Sequence, residues 1–143
     1  MFKKILIALD GSQKSEMALD FALNLAEKYS AEILLFSAIP PISSIISAVY
    51  PGSDKYYAAS KVRHEQVLDD ALKKSKKLQP DLNILTKLEE GRPADKILET
   101  AKLEKSDLII VGDRGLGGIK EVLLGSVSHR VADMATCPVL IVK

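Results

Sequence analysis

The feature that most constrains the fold of this chain is a regular alternation of two hydrophobic patterns. Short runs that are apolar at every position, such as residues 5–9 (ILIAL), alternate with stretches in which apolar residues recur every three or four positions. A continuous apolar run is typical of a strand buried on both faces, and the longer period is typical of an amphipathic helix. Strands that alternate with helices predict an α/β fold, a parallel sheet with helices on both faces.

Five strands and four helices are predicted from this alternation. The strands are expected at residues 5–9, 32–38, 82–88, 107–111 and 139–142. Ser12 is placed to cap the first helix, and the later helices are expected at residues 54–78, from 94 onward and at 126–135. Residues 39–53 are rich in proline and are expected to be irregular. Residues 82–88 alternate apolar and polar side chains, which indicates an edge strand.

The apolar stripes of the predicted helices identify candidates for the core. A stripe on one face of a helix is expected to pack against the sheet. The side chains expected to point inward are Met17, Ala18, Phe21, Ala22, Leu25 and Ala26 in the first helix, Val67, Leu68, Ala71, Leu72 and Leu78 in the second, Ala94, Ile97, Leu98 and Ala101 in the third, and Val127, Val131 and Met134 in the last.

Composition limits the classes of function. The 143 residues fit one domain, 1–143, and the net charge of +1 gives no electrostatic basis for binding nucleic acid or an anionic membrane. The lysines at 73, 74, 76 and 77 are either a solvated helix face or a small patch for polyanions. A single cysteine, Cys137, excludes an internal disulfide and favours a reducing compartment, and no apolar run approaches the roughly 20 residues of a membrane span. A cytoplasmic location is expected.

A glycine-rich segment follows the fourth predicted strand. Gly112 and Gly115 leave no Cβ between backbone amides and a ligand and permit positive φ angles, and Gly125-Ser126 opens a helix whose first amides and dipole favour an anion. The segment predicts a phosphate cradle, with the hydroxyls of Ser126 and Ser128 as further donors. The alternative is a glycine-rich turn with Ser126 as an ordinary N-cap. It is neither a P-loop, which needs Gly-Lys-Ser/Thr, nor a dinucleotide fingerprint, since Lys120 occupies the last glycine position.

The spacing Gly112-x2-Gly115-x9-Gly125-Ser126 resembles the nucleotide-binding motif of the universal stress protein family. The resemblance covers the whole chain. Residues 5–12 are similar to the first strand and turn of that family, residues 91–93 (GRP) to its Gly-x-Pro, and residues 137–142 to its closing strand. The resemblance implies a Rossmann-like three-layer sandwich with strand order 3-2-1-4-5, in which the loops after the first and fourth strands flank the ligand site.

The resemblance also implies ATP as the ligand, with Mg²⁺ or Mn²⁺ carried by the triphosphate. Asp10 would bind the ribose hydroxyls, although it could equally hold a local Asx turn. Arg114 would either reach phosphate or lie in solvent. The remaining implied contacts are Ala8, Leu9 and Ser37 on the adenine side, Val111, Gly112 and Gly115 near the ribose and α-phosphate, and Gly125, Ser126, Val127 and Ser128 at the outer phosphates.

The sequence offers little catalytic machinery. His64 and His129 are expected on helix surfaces, Cys137 is expected to be a small buried side chain, and no carboxylate pair is spaced to hold a metal. We therefore expect an ATP-responsive regulatory switch. The alternative is a slow ATPase or phosphotransfer enzyme with Asp113 or His129 as a weak base. A phosphoacceptor receiver is disfavoured, because it needs paired acids after the first strand, where only Asp10 occurs.

Two segments point to contacts with other chains. The apolar last strand, Val139–Val142, would lie at a sheet edge, and the family resemblance implies a homodimer through it. Residues 39–50 are unusually apolar for a loop. They could cover the nucleotide or meet an unknown protein partner, or they could fold against the second helix.

Overall fold

The chain folds into alternating strands and helices. The computed structural model describes residues 1–115 and 124–143. Its elements, in chain order, are β1 Lys4–Ala8, α1 Gln13–Tyr29, β2 Glu32–Ile39, α2 Ser44–Val49, α3 Ser53–Leu78, β3 Ile84–Glu90, α4 Pro93–Leu103, β4 Leu108–Gly112, α5 Ser126–Met134 and β5 Val139–Val142. The strands form one sheet in the order β3-β2-β1-β4-β5, and every pairing is parallel. The predicted fold class and strand order are confirmed.

The sheet separates two hydrophobic cores because successive side chains of a strand point to opposite faces. Ile5 and Ile7 of β1 belong to the core that contains Leu19 of α1 and Leu68 of α3. Leu6 between them belongs to the other core, beneath α4 and α5. All three β1 side chains are fully buried. Burial on both faces explains why this strand is an uninterrupted apolar run.

The strand order determines where a crevice opens at the edge of the sheet. β1 lies between β2 and β4, so the chain runs outward from β1 to β3 on one side and returns to β4 on the other. The connections after β1 and β4 therefore diverge in opposite directions, and a crevice opens between them at the carboxyl ends of the strands. This is the edge at which the sequence predicts the phosphate cradle.

The largest differences from the predicted elements concern β3 and residues 39–53. β3 begins at Ile84, two residues after the prediction, and it is the edge strand that the alternation indicates. Within the stretch expected to be irregular, Ser44–Val49 forms the short helix α2, and the Ser43 hydroxyl caps it by accepting a bond from the Ile46 amide, 3.2 Å long. α2 has only six residues, too few for a helical period to be recognised in the sequence, and none of them is buried.

Three side chains expected inside the core lie largely outside it. Phe21, Leu78 and Met134 are each more than half exposed. In α1, Leu19 and Leu23 are buried together with Ala18, Ala22 and Ala26, and Phe21 lies outside this buried stripe. Leu78 and Met134 are the last residues of α3 and α5, where the helices have passed the core.

The lysine run lies on the outer part of α3. Lys73 forms an ion pair with Asp69 of the same helix, 2.9 Å long, and Lys74 pairs with Asp20 of α1. Lys76 and Lys77 are exposed in the last turn of the helix. These positions match the solvated helix face. Among the described residues, no helix is long and apolar enough to cross a membrane.

Candidate functional site

A cavity of about 1050 Å³ opens at the carboxyl edge of the sheet. The ends of β1, β2 and β4, one face of α3 and the start of α5 surround it. All the binding residues expected from the sequence line this cavity, namely Ala8, Leu9, Asp10, Ser37, Val111, Gly112, Arg114, Gly115, Gly125, Ser126, Val127 and Ser128. Residues separated by up to 120 positions in the chain are thus brought to one surface by the strand order.

The turn after β1 places Asp10 at the cavity wall. Asp10 Oδ1 accepts a bond from the Ser12 amide, 2.8 Å long, and Gly11 between them has a φ of 85°. The turn delivers Ser12 to the start of α1, where its hydroxyl accepts a bond from the Ser15 amide, 3.1 Å long. The Asx turn considered as an alternative role for Asp10 is therefore present. It engages Oδ1, whereas Oδ2 points toward Gly115, where a Cβ would lie only 2.5 Å from it.

The described glycines of the segment lie in close contact with neighbouring groups. Gly112, Gly115 and Gly125 are not among the residues with positive φ, so the conformational freedom of glycine is not used at these positions. A Cβ on Gly112 would lie 2.7 Å from Lys14 Cβ, and one on Gly125 would lie 3.2 Å from the Asp113 carbonyl oxygen. Glycine at these positions lets α1 and the start of α5 approach the end of β4. Gly117, Gly118 and Lys120 fall in residues 116–123, outside the described residues.

The start of α5 presents backbone amides at the cavity. Gly125, not Ser126, is the N-cap, and no described side chain caps the helix. The first bond within the helix runs from the His129 amide to the Gly125 carbonyl, 2.9 Å long, so the amides of Ser126, Val127 and Ser128 have no partner within α5. Because these amides form the positive end of the helix dipole, this wall of the cavity favours an anionic group.

The two serines of this turn differ in what their hydroxyls can do. Ser128 is buried, and its hydroxyl donates to the Asp113 carbonyl oxygen at 2.8 Å and lies 3.1 Å from the Gly125 carbonyl oxygen. In this arrangement its proton is not available to a phosphate, and the side chain joins α5 to the end of β4. Ser126 is exposed at the cavity rim. It is therefore the hydroxyl of this turn that remains open to a ligand.

His64 lies inside the molecule, and the expectation of a surface histidine was wrong. Its exposed fraction is 4%. Its Nδ1 lies 2.9 Å from Ser37 Oγ, which in turn lies 2.7 Å from the Leu9 carbonyl oxygen. Burial lowers the pKa of the imidazole, and the positive charge of Arg63 lowers it further, while the carboxylate of Asp10 acts in the opposite direction. His64 precedes the buried Leu68 by one helical turn, and that spacing is the signal that could have placed it inward.

The charged residues beside the glycine segment differ in whether they line the cavity. Asp113 is buried and does not line the cavity, which removes it from reach of a bound ligand in this structure. Arg114 lines the cavity with its Nε 3.9 Å from Asp113 Oδ2. His129 is exposed at the cavity rim, as expected for a surface histidine. Cys137 is only partly buried and lies away from this cavity.

Sequence reasoning missed several residues of the wall. Arg63 and His64 come from α3, and Pro40, Pro93 and Ile97 come from the connection after β2 and from α4. These residues carry no motif, and their positions depend on how α3 and α4 pack across the edge of the sheet. Within residues 1–115 and 124–143, no group of three or more His, Cys, Asp or Glu side chains could hold a metal ion.

These observations define a Rossmann-like α/β protein with an anion-favouring cavity at the carboxyl edge of its sheet. Residues 1–143 match the model of the Universal stress protein family. The chain is 39% identical over 153 aligned residues to universal stress protein YxiE of Bacillus subtilis (strain 168), with 100% of both chains covered. This chain belongs to the universal stress protein family.

Solved structures show the same fold. Universal stress protein UspA from Lactobacillus plantarum matches with a TM-score of 0.82 at 22% identity, over 99% of this chain and 98% of that one. A universal stress protein in complex with cAMP matches with a TM-score of 0.71 at 29% identity, over 99% of this chain and 97% of that one. One structural neighbour therefore binds an adenine nucleotide.

Proposed function

We propose that this chain binds ATP, with Mg²⁺ or Mn²⁺ carried by the triphosphate, and acts in the cytoplasm as a nucleotide-responsive regulatory switch in the stress response. The observation that carries the proposal is the start of α5, where three amides without helical partners line the cavity opposite Asp10. Amides at a helix N-terminus suit a phosphate, and a carboxylate suits ribose hydroxyls. The cAMP complex of a structural neighbour supports an adenine nucleotide.

The proposed contacts follow the shape of the cavity. Ala8, Leu9 and Ser37, at the ends of β1 and β2, form the adenine side. Asp10 accepts hydrogen bonds from the ribose hydroxyls, beside the turn that its carboxylate makes to Ser12. The phosphates extend along Gly112 and Gly115 toward Gly125 and the amides of Ser126, Val127 and Ser128, with Arg114 at the side of the cavity. The amide of Gly125 itself donates to the Asp113 carbonyl oxygen at 2.6 Å. The signal is whether nucleotide is bound, and a protein partner recognises the nucleotide-bound form of the chain.

A slow ATPase or phosphotransfer enzyme is the second candidate. The position of His129 favours this candidate, because its imidazole lines the cavity beside the α5 amides that have no partner within the helix. The same geometry disfavours the other weak base considered, Asp113, which does not reach the cavity wall. Among the described residues, the charged side chains that line the cavity are those of Arg63, Arg114 and Asp10. Loss of a slow ATP turnover in a His129→Ala variant would support the enzyme.

We also propose that two copies of this chain pair through β5. Val139–Val142 is the outermost strand next to β4, and its side chains are apolar. Leu140 and Ile141 are only partly buried within one copy. An apolar edge strand with unpaired backbone groups favours pairing with a second strand.

Replacement of Ser126 tests the phosphate-binding role of α5. Ser126 is the first helical residue, and Gly125 before it has φ −66° and ψ 163°. Proline is accepted at this position of a helix and after such a residue, so Ser126→Pro deletes one free amide without breaking α5. Ser126→Ala is the matched control, since it removes the hydroxyl and keeps the amide. We expect Ser126→Pro to weaken Mg·ATP binding by about 10-fold or more, the range of a bond to a charged group, and Ser126→Ala to weaken it less.

Calorimetric titration with Mg·ATP, Mg·GTP and cAMP, together with urea unfolding of each variant, provides the measurement. The unmodified chain should bind Mg·ATP more tightly than Mg·GTP. Failure of the unmodified chain to bind any adenine nucleotide at millimolar concentration would contradict the proposal. Equal affinities of Ser126→Pro and Ser126→Ala for Mg·ATP would mean that the phosphates do not bind at the start of α5.

A further inference from the structure

The buried contact between α3 and the ends of β1 and β2 links three groups through two hydrogen bonds. His64 Nδ1 lies 2.9 Å from Ser37 Oγ, and Ser37 Oγ donates to the Leu9 carbonyl oxygen at 2.7 Å. Ser37 is 1% exposed, so both bonds are shielded from water. His64, Ser37 and Leu9 all contribute to the cavity wall.

The chemistry of the hydroxyl determines which nitrogen of His64 carries the proton. A serine hydroxyl has one proton, and a carbonyl oxygen can only accept. Because Ser37 Oγ donates its proton to Leu9, it must accept from His64, and Nδ1 therefore carries the hydrogen. The pKa of His64 is lowered by burial, so the ring is neutral near pH 7 and its Nε2 is an unprotonated acceptor.

The second nitrogen of His64 is buried without a partner. Nε2 is shielded from solvent and makes no hydrogen bond within the described part of the chain. Protonation would add a charge and a second N–H with no acceptor, which is costly in a buried position. The charged groups that act on the ring are Arg63 on α3, which opposes protonation, and Asp10 after β1, which favours it.

Leu9 is the last residue held by the sheet before Asp10. Pairing of β1 with β2 ends at Ala8, and the Leu9 amide donates to the Phe36 carbonyl oxygen at 2.8 Å. The Leu9 carbonyl is then held by the Ser37 hydroxyl instead of by a backbone amide of a continuing ladder. Asp10 follows directly and turns away from the sheet, so the position of its carboxylate depends on how firmly Leu9 is held.

We propose that His64 is a positioning residue for the nucleotide site. In its Nδ1-protonated, neutral form it orients Ser37, Ser37 holds the Leu9 carbonyl, and the pair fixes the end of β1 that presents Asp10 to the ligand. This inference rests on the proposed nucleotide binding and adds a residue from α3 to it.

A set of matched variants tests the proposal. The Asn amide nitrogen lies as far along the side chain as His Nδ1, whereas the Gln amide nitrogen is closer to the place of Nε2. His64→Asn should therefore keep the bond to Ser37, and His64→Gln and His64→Leu should lose it. Ser75→Ala is the control for loss of another buried polar group of α3, since its hydroxyl bonds only within the helix, to the Ala71 carbonyl oxygen.

The first measurement is the affinity for Mg·ATP at neutral pH, by calorimetry. We expect His64→Leu, His64→Gln and Ser37→Ala each to weaken binding by about two- to tenfold, the range of one net hydrogen bond. The double variant His64→Leu with Ser37→Ala should be no weaker than either single variant, because both remove the same link. His64→Asn and Ser75→Ala should bind like the unmodified chain. Additive losses, or unchanged binding by His64→Leu, would overturn the positioning role.

The second measurement is independent of nucleotide. The ¹⁵N chemical shifts of the His64 ring, recorded on the unliganded protein across pH, report the tautomer and the pKa. We expect a neutral ring protonated on Nδ1 near pH 7. A ring protonated on Nε2 would overturn the proposal. If the unmodified chain bound no nucleotide, the proposed function itself would fail, whatever the tautomer.

Discussion

Asp10 takes part in the fold and also lines the cavity in which we propose that nucleotide binds. Its Oδ1 holds the turn that delivers Ser12 to α1, and its Oδ2 points toward Gly115 on the other side of the crevice. A carboxylate has two acceptor oxygens, so the two roles do not compete. The absence of a Cβ at Gly115 is what leaves room for Oδ2 there.

Replacement of two glycines by alanine should separate these roles. The new Cβ of Gly115→Ala meets only the end of the Asp10 side chain, which can move, so we expect little loss of stability and a weaker affinity for Mg·ATP. The new Cβ of Gly112→Ala meets the Lys14 Cβ at 2.7 Å and its backbone carbon at 3.0 Å, which cannot move without α1. Gly112→Ala should lower the free energy of unfolding by about 1–3 kcal/mol.

Urea unfolding and calorimetry on the same preparations would check both effects. A Gly115→Ala variant that binds Mg·ATP as tightly as the unmodified chain would argue against a ligand role for Asp10 Oδ2.

At the scale of elements, the helices of this chain begin in different ways. The hydroxyls of Ser12 and Ser43 cap α1 and α2, whereas α5 begins at Gly125 with no capping side chain among the described residues. A capping hydroxyl satisfies an amide that a ligand would otherwise bind. The uncapped start of α5 at the cavity is therefore consistent with the proposed phosphate site. At the start of α1, by contrast, the Ser12 hydroxyl already accepts from the Ser15 amide.

Removal of the two serine caps should have unequal effects on stability. Ser12→Ala leaves the Ser15 amide without its acceptor in a helix that packs into the core, so we expect a loss of about 1 kcal/mol in the free energy of unfolding. Ser43→Ala is the matched control, because α2 has the same kind of cap and buries no residue. Its effect on urea unfolding should be close to zero. Equal losses in the two variants would mean that α2 contributes to the cooperative unit.

At the scale of the whole molecule, the sheet has two different edges. β3 at one edge has polar and partly exposed side chains, including Lys87 and Glu89, which form an ion pair. β5 at the other edge is apolar throughout. Charged side chains on an edge strand oppose pairing with another chain. The difference favours β5 as the edge that a second copy would extend.

A charge on β5 should therefore change the oligomeric state. Leu140 and Ile141 are partly buried, and their exposed parts would face a partner strand. We expect sedimentation of the unmodified chain to give a dimer at micromolar concentration and Ile141→Lys to give a monomer. Leu85→Lys on β3, where the side chain is 42% exposed, is the matched control and should leave the dimer intact. A monomer in the unmodified chain would contradict pairing through β5.

Much of this architecture follows from local patterns. The buried runs of β1, β2 and β4 and the apolar stripes of the helices predicted the α/β class, while strand order came from the family resemblance. The predictions that failed involve residues whose exposure depends on neighbours distant in sequence. Phe21 lies outside the buried stripe of α1, where Leu19 and Leu23 make the contact with the core. His64 is spaced from Leu68 as a buried residue would be, but its polar partner Ser37 comes from β2 and is found only in the packed structure.

The sequence by itself determined the alternation of elements, the glycine segment after β4 and the turn at Asp10, because each depends on nearby residues. The tertiary structure decided which of these segments contact one another. It brought Gly115 against Asp10, assigned the Ser128 hydroxyl to the Asp113 carbonyl, and placed His64 behind Ser37. Such contacts join residues far apart in the chain, and their geometry depends on how helices pack across the sheet, which no local pattern encodes.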